Sequence, residues 1–101
     1  MLSEQYLSVL SDSEKDNLRK YEQVFGTDGW KVLIEWALVS AENAARRQRA
    51  ASSWDEVLKA RAQEDVYRLF ASLEDAVTLE YTNTAQDRID DLATAAAEEH
   101  E

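Results

Sequence analysis

The stretch Phe25–Ala37, FGTDGWKVLIEWA, holds both glycines of the chain and two of its three tryptophans. Its first five residues break one helical pattern and open another, and that reading decides the fold. Upstream, Leu18, Tyr21 and Phe25 recur at helical spacing with Val24 alongside. Gly26 then sits where a helix ends, at the position where a left-handed conformation costs glycine nothing. Thr27 or Asp28 offers an N-cap for the next helix, and Gly29 falls in its first turn. From Trp30 the apolar positions are Trp30, Leu33, Ile34, Ala37, Ala41, Ala44 and Ala45. Val32, Trp36 and Val39 widen that surface beyond what one partner helix covers.

Working outward, SDSE at 11–14 has capping-box spacing, with Ser13 as a competing cap, and places a first helix at about 13–25. The second helix, about 28–51, ends in RRQR at 46–49, where cations suit the negative end of the helix dipole. SWDE at 53–56 is another capping box and opens a third helix at about 54–79, with the stripe Leu58, Ala62, Val66, Leu69, Leu73 and Val77 and with Phe70 beside it. The short link makes the second and third helices an antiparallel hairpin. TLEYTNT at 78–84 reads as a break. Asn83 or Thr84 then caps a weak last helix at about 84–97, followed by a disordered EEHE. Residues 1–10 read as a frayed arm, or one that orders on a partner. The expectation is one all-α domain over 1–101, with 78–101 an acidic segment partly disordered or docked on a partner.

Composition narrows the function classes. With 45% hydrophobic residues, no proline and two glycines, the chain favours helix and is too apolar for wholesale disorder. No cysteine is present, which removes disulfides and thiolate metal sites. The N-terminus lacks the basic and apolar regions of a secretory signal, so a protein of the cytoplasm is expected. No run reaches the length needed to span a bilayer. Of the net charge of −10, residues 78–101 carry seven acids and one base, whereas residues 26–54 carry three acids and four bases. Such a chain is repelled by nucleic acid and by anionic membranes.

Catalytic and metal chemistry has little to work with. His100 is the only histidine, which rules out a Ser–His pair or a His-based metal site. The acid pairs Asp55–Glu56, Glu64–Asp65, Glu74–Asp75 and Asp90–Asp91 point about 100° apart on a helix and do not converge. Glu64 and Arg68 have the i,i+4 spacing of a solvated face. No enzyme activity, metal or cofactor is expected. The RRQR cluster is weak as a nucleic-acid contact and reads instead as dipole complementation and pairing with acids of the third helix or of a neighbouring subunit.

The aromatics are more informative. Trp30 and Trp36, six residues apart, point about 120° from each other, so one core stripe does not bury both. Either the first helix covers one of them or a second chain does. Candidate interaction residues are Trp30, Trp36, Val32, Val39 and Trp54, the last able to staple the hairpin turn, with Tyr6 and Leu10 on the N-terminal arm.

The run FGTDGWKVLIEWALVSAENA, a polar gap, then SWDEVLKARAQEDVYRLFASLEDAV is similar to small helical proteins of tailed, podovirus-type phages, in which an F-x-T-x-G-W turn opens a long helix. Phe25, Thr27, Gly29, Trp30, Trp54 and Leu69 match that pattern, and Ala62 stands where a glycine is more typical. The resemblance covers roughly residues 25–77. It implies a virion or assembly role without catalysis, in the host cytoplasm or the particle, with self-association or head and portal components as partners. The alternative reading is an acidic inhibitor that mimics DNA towards a basic host protein, motivated by the acidic tail.

Overall fold

The computed structural model describes residues Leu2 to Glu99. Every element among them is helical: α1 (Glu4–Leu7), α2 (Asp12–Phe25), α3 (Asp28–Ala50), α4 (Trp54–Ala71) and α5 (Leu73–Glu99). The all-α class and the antiparallel hairpin, here α3 and α4, are as the periodicity predicts.

Each helix start is set by local chemistry. Ser11 is the cap of α2: its Oγ accepts from the Glu14 N–H at 3.2 Å, while the Ser11 N–H donates to Glu14 Oε1 at 2.8 Å. This is a complete reciprocal box, and it settles Ser11 over Ser13. Thr27 Oγ1 accepts from the Trp30 N–H at 3.1 Å and donates to the Val24 carbonyl at 2.7 Å, closing α2 and opening α3 with one hydroxyl. Ser53 caps α4 through the Glu56 N–H at 3.2 Å, and the Glu56 carboxylate reaches past it to the Ser52 N–H at 3.0 Å.

Three expectations are corrected. Neither glycine has a positive φ, so Gly26 does not use the left-handed conformation; Thr27 performs the reversal. The break after α4 falls at Ser72, not at 78–84. The Ser72 N–H lies 3.1 Å from the Arg68 and Leu69 carbonyls and its hydroxyl donates to Leu69 O at 2.9 Å, so the last turn of α4 is satisfied without glycine or proline. The β-branched Thr78, Thr82 and Thr84 continue inside α5, because their helix penalty is only a fraction of ~1 kcal/mol each and packing overrides it. Finally, α5 runs through Glu98 and Glu99, which were expected to be disordered; His100 and Glu101, the rest of that segment, lie outside the described residues.

The single domain read from the sequence divides into two compact units. The terminal unit combines residues up to Gln23 with those from Asp75 on. Its core is Leu10, Leu18 and Ala85, with Leu2, Tyr6, Leu7, Val9 and Tyr81 packed against it. Among the described residues of the N-terminal stretch, Leu10 is buried and the Tyr6 hydroxyl donates to Gln86 Oε1 at 3.0 Å. Tyr21 and Tyr81 meet edge to face at 6.3 Å. The only base of the 78–101 segment, Arg88, ties this unit together. Its guanidinium donates to the Val9 carbonyl at 3.1 Å and grips Glu14, with Nη2 2.8 Å from Oε2. The Arg88 guanidinium, then the Ser11 N–H, hold the Glu14 carboxyl down at about 2.

The central unit, Val24–Glu74, is the α3/α4 hairpin with the adjoining helix ends. Side-chain pairs run in opposite directions along the two helices: Gln48 with Glu64, Trp36 with Tyr67, Trp30 with Phe70. At the contact sit alanines, Ala37, Ala41 and Ala44 from α3 and Ala60 from α4, all buried. Small side chains let two helices approach closely but bury little apolar area themselves.

Candidate protein-interaction face

On α3 the buried positions Trp30, Ala37, Ala41 and Ala44 form one stripe at 3.6-residue period. Trp30 is enclosed by Phe25, at 4.9 Å between ring centroids, and by Phe70, at 5.6 Å. The end of the first long helix thus covers one tryptophan, and Trp30 belongs to the core of its unit rather than to an interaction surface. Leu10 is likewise core, and Tyr6 is half-buried and hydrogen-bonded in the terminal unit.

Trp36 does what its 120° offset implies. It stands 54% exposed, edge-on to Tyr67 at 5.5 Å and to Phe70 at 6.5 Å. Val32 and Val39, four and three residues away, share its side of α3 and are exposed. Trp54 is exposed too, but at the hairpin turn, with the Arg61 guanidinium 5.9 Å from its ring as a cation–π contact. It does not staple the turn by burial.

The larger surprise is α4. The alanines of α3 leave room for Leu69, Phe70 and Leu73 to approach if the register permits; Phe70 does so against Trp30, but Leu69 does not. Instead Ala60 is buried and Val57, Gln63, Glu64, Tyr67 and Phe70 are half-buried, whereas Leu58, Ala62, Val66 and Leu69 are exposed, the last two at 64%. The rotation has a physical cause. The polar end of α3 meets α4 through Arg47 Nη2 to Gln63 Oε1 at 3.0 Å and Gln48 Nε2 to Glu64 Oε1 at 2.6 Å. These bonds, with a connection of only three residues, hold Gln63 and Glu64 inward and turn the leucine and valine stripe out. Arg68 donates to Glu64 at 2.7 Å, and the Arg68 and Gln48 hydrogen bonds hold the Glu64 carboxyl below its ordinary range.

The two helices meet at Trp36 of α3 and Tyr67 of α4. Tyr67, in contact with Trp36, also lines a shallow apolar groove with Ala62, Val66 and the stems of Lys59 and Gln63. Sequence reasoning named the exposed residues of α3 (Val32, Trp36, Val39) and missed those of α4 (Leu58, Val66, Leu69). The signal for the latter was the second, more polar α4 stripe whose partners lie in RRQR.

The basic cluster itself is engaged. Arg46 and Arg49 lie 3.6 and 3.5 Å from Glu42 on their own helix, while Arg47 and Gln48 bond across to α4. Among the described residues no group of three or more His, Cys, Asp or Glu side chains gathers to hold a metal ion, and no helix is long and apolar enough to cross a membrane. No protein-family model, curated protein or solved structure matches the chain.

Proposed function

We propose that the chain is a non-catalytic helical protein–protein interaction module, a small phage virion structural or assembly protein that works by helix packing in the host cytoplasm or the particle. The observation that carries this reading is the large apolar side chains left exposed on both helices: Trp36, Val32 and Val39 on α3, and Val66 and Leu69 on α4. Side chains this large and apolar, left exposed on both helices, mark surface that a protein partner would cover. The F-x-T-x-G-W turn, with Thr27 and Trp30 in structural roles, supplies the phage part of the proposal. Co-sedimentation with particles of the phage that encodes it is the test. Retention in the particle fraction, lost on Trp36→Ala with helicity unchanged, is expected. A chain that always stays in the supernatant contradicts the virion role.

The acidic-inhibitor reading has its own observation. The terminal unit carries thirteen acids and four bases, a net −9 of the total −10. Mimicry of nucleic acid requires binding to a basic protein that fades with added salt. Binding unchanged at high salt contradicts it.

A further inference from the structure

We infer that residues 2–10 form a strap that opens as one piece about Ser11, with Arg88 as the latch that holds it closed over the Leu18 and Ala85 core. The device lies wholly within the terminal unit and is independent of the interaction-module reading.

The strap has little hold of its own. Its one helix, α1, is four residues long and contains no buried residue. Isolated helices shorter than about 12–15 residues are marginal in water, so α1 is ordered by what it docks on. Leu10 is the only buried side chain of residues 2–10; Leu2, Tyr6, Leu7 and Val9 are half-buried against the core. With apolar contact this partial, the polar ties to α5 decide whether the strap stays down.

Those ties converge on one short piece of α5. The Tyr6 hydroxyl donates to Gln86 Oε1 at 3.0 Å, and the Gln86 amide is itself anchored to Asp90 Oδ1 at 3.0 Å. Arg88 Nη1 donates to the Val9 carbonyl at 3.1 Å. The same guanidinium grips both oxygens of Glu14, so its direction is fixed from the α2 side. Arg88 therefore joins three pieces of chain: its own helix, the end of the strap and the first turn of α2.

The pivot is equally local. Ser11 is bonded to Glu14 through both its N–H and its hydroxyl, and its carbonyl accepts from the Lys15 N–H at 2.9 Å. None of these bonds involves residues 2–10. Ser11 and α2 thus keep their hydrogen bonds when the strap lifts, and opening costs less than unfolding the unit. The latch is ionic and part-exposed, at 41% for the Arg88 side chain and 27% for Glu14, so salt weakens it while leaving the apolar contacts of Leu18 in place.

Hydrogen exchange read residue by residue on the full chain tests this. The strap reporters are the amides of Ser8, Val9 and Leu10, bonded to the Glu4, Tyr6 and Leu7 carbonyls; the reference is the α2 amides around Leu18. Arg88→Gln should speed the strap amides by about tenfold or more, the scale of lost hydrogen bonds to a charged group, and leave the reference unchanged. Tyr6→Phe should act on the same amides in the same direction but less, and added salt should do so in the unmodified chain. Arg19→Gln, which removes an exposed pairing with Asp16 on α2, should leave the strap as it is. Strap amides that ignore Arg88→Gln, strap and reference amides that speed up together, or strap amides that respond to neither Tyr6→Phe nor salt overturn the inference.

Discussion

The terminal unit closes around leucines and draws on residues some eighty positions apart in the chain, whereas the central unit closes around alanines and the Phe25–Trp30–Phe70 cluster and leaves Trp36, Trp54, Val66 and Leu69 exposed. Charge divides as well: the terminal unit carries nearly all the excess acid, and the central unit is almost neutral. Under the proposed interaction role the contrast has a physical sense: net charge that keeps a protein in solution sits where no contact is needed and is withheld from the face where one would form.

The comparison can be broken at several points. Leu18, 2% exposed in the terminal core, is the most sensitive: Leu18→Ala should cost about 2–5 kcal/mol in denaturant unfolding, since both transfer energy and a cavity are lost. In the central unit the corresponding vulnerability is overfilling, not emptying. Ala41→Leu at the α3/α4 contact should cost about 1–3 kcal/mol, because the helices must separate to admit it. If Ala41→Leu were neutral, the close alanine packing would be wrong.

Smaller effects sharpen the account of the terminal unit. Ser11→Ala should cost about 1 kcal/mol through the lost cap. Acid should act through Glu14. Its carboxyl titrates at about 2 when folded and near 4.5 when free. Because the folded value is the lower one, this stabilisation is complete above about 4.5 and is lost as the pH falls through about 2. A carboxyl NMR titration should place Glu14 there, and Arg88→Gln should move its midpoint upward. A midpoint in the ordinary carboxylate range for the unmodified chain would remove the Arg88 tether. The smallest effect belongs to the exposed face: Leu69→Ser should change the unfolding of dilute protein by less than about 0.5 kcal/mol.

Much of this fold is legible in the residues, for reasons that are local. Capping chemistry is short-range, so spacing narrows three helix starts to Ser11 or Ser13, Thr27 or Asp28, and Ser53, and the hydrogen bonds select Ser11, Thr27 and Ser53. The 120° offset of Trp30 and Trp36 needs only the helical pitch, and their different fates follow from it. What escapes is decided by tertiary pairing. The α4 sequence carries two apolar stripes, and the greasier one loses because Gln63 and Glu64 find polar partners at the end of α3. The Thr-rich stretch after Val77 stays helical because Tyr81 and Ala85 pack into the terminal core, a gain that propensity does not register. Leu10 and Tyr6 look like an arm until Ala85 and Gln86 are brought beside them from the other end of the chain. Of the candidate face, Val32, Trp36 and Val39 were visible as surplus apolar surface; Leu58, Val66 and Leu69 were not, since a regular stripe is indistinguishable from a core stripe until its neighbour is known.

The central claim is that the terminal unit is complete within one chain and the central unit is not. Amide hydrogen exchange of the free chain and of the chain in the particle fraction addresses both units in one experiment, because protection reports local opening segment by segment. The account predicts that protection of α4 and of α3 around Trp36 rises in the particle fraction, while the α2 and α5 segments around Leu18 and Ala85 exchange at the same rate throughout. Protection that stays the same in both units, or that rises equally in both, would contradict it.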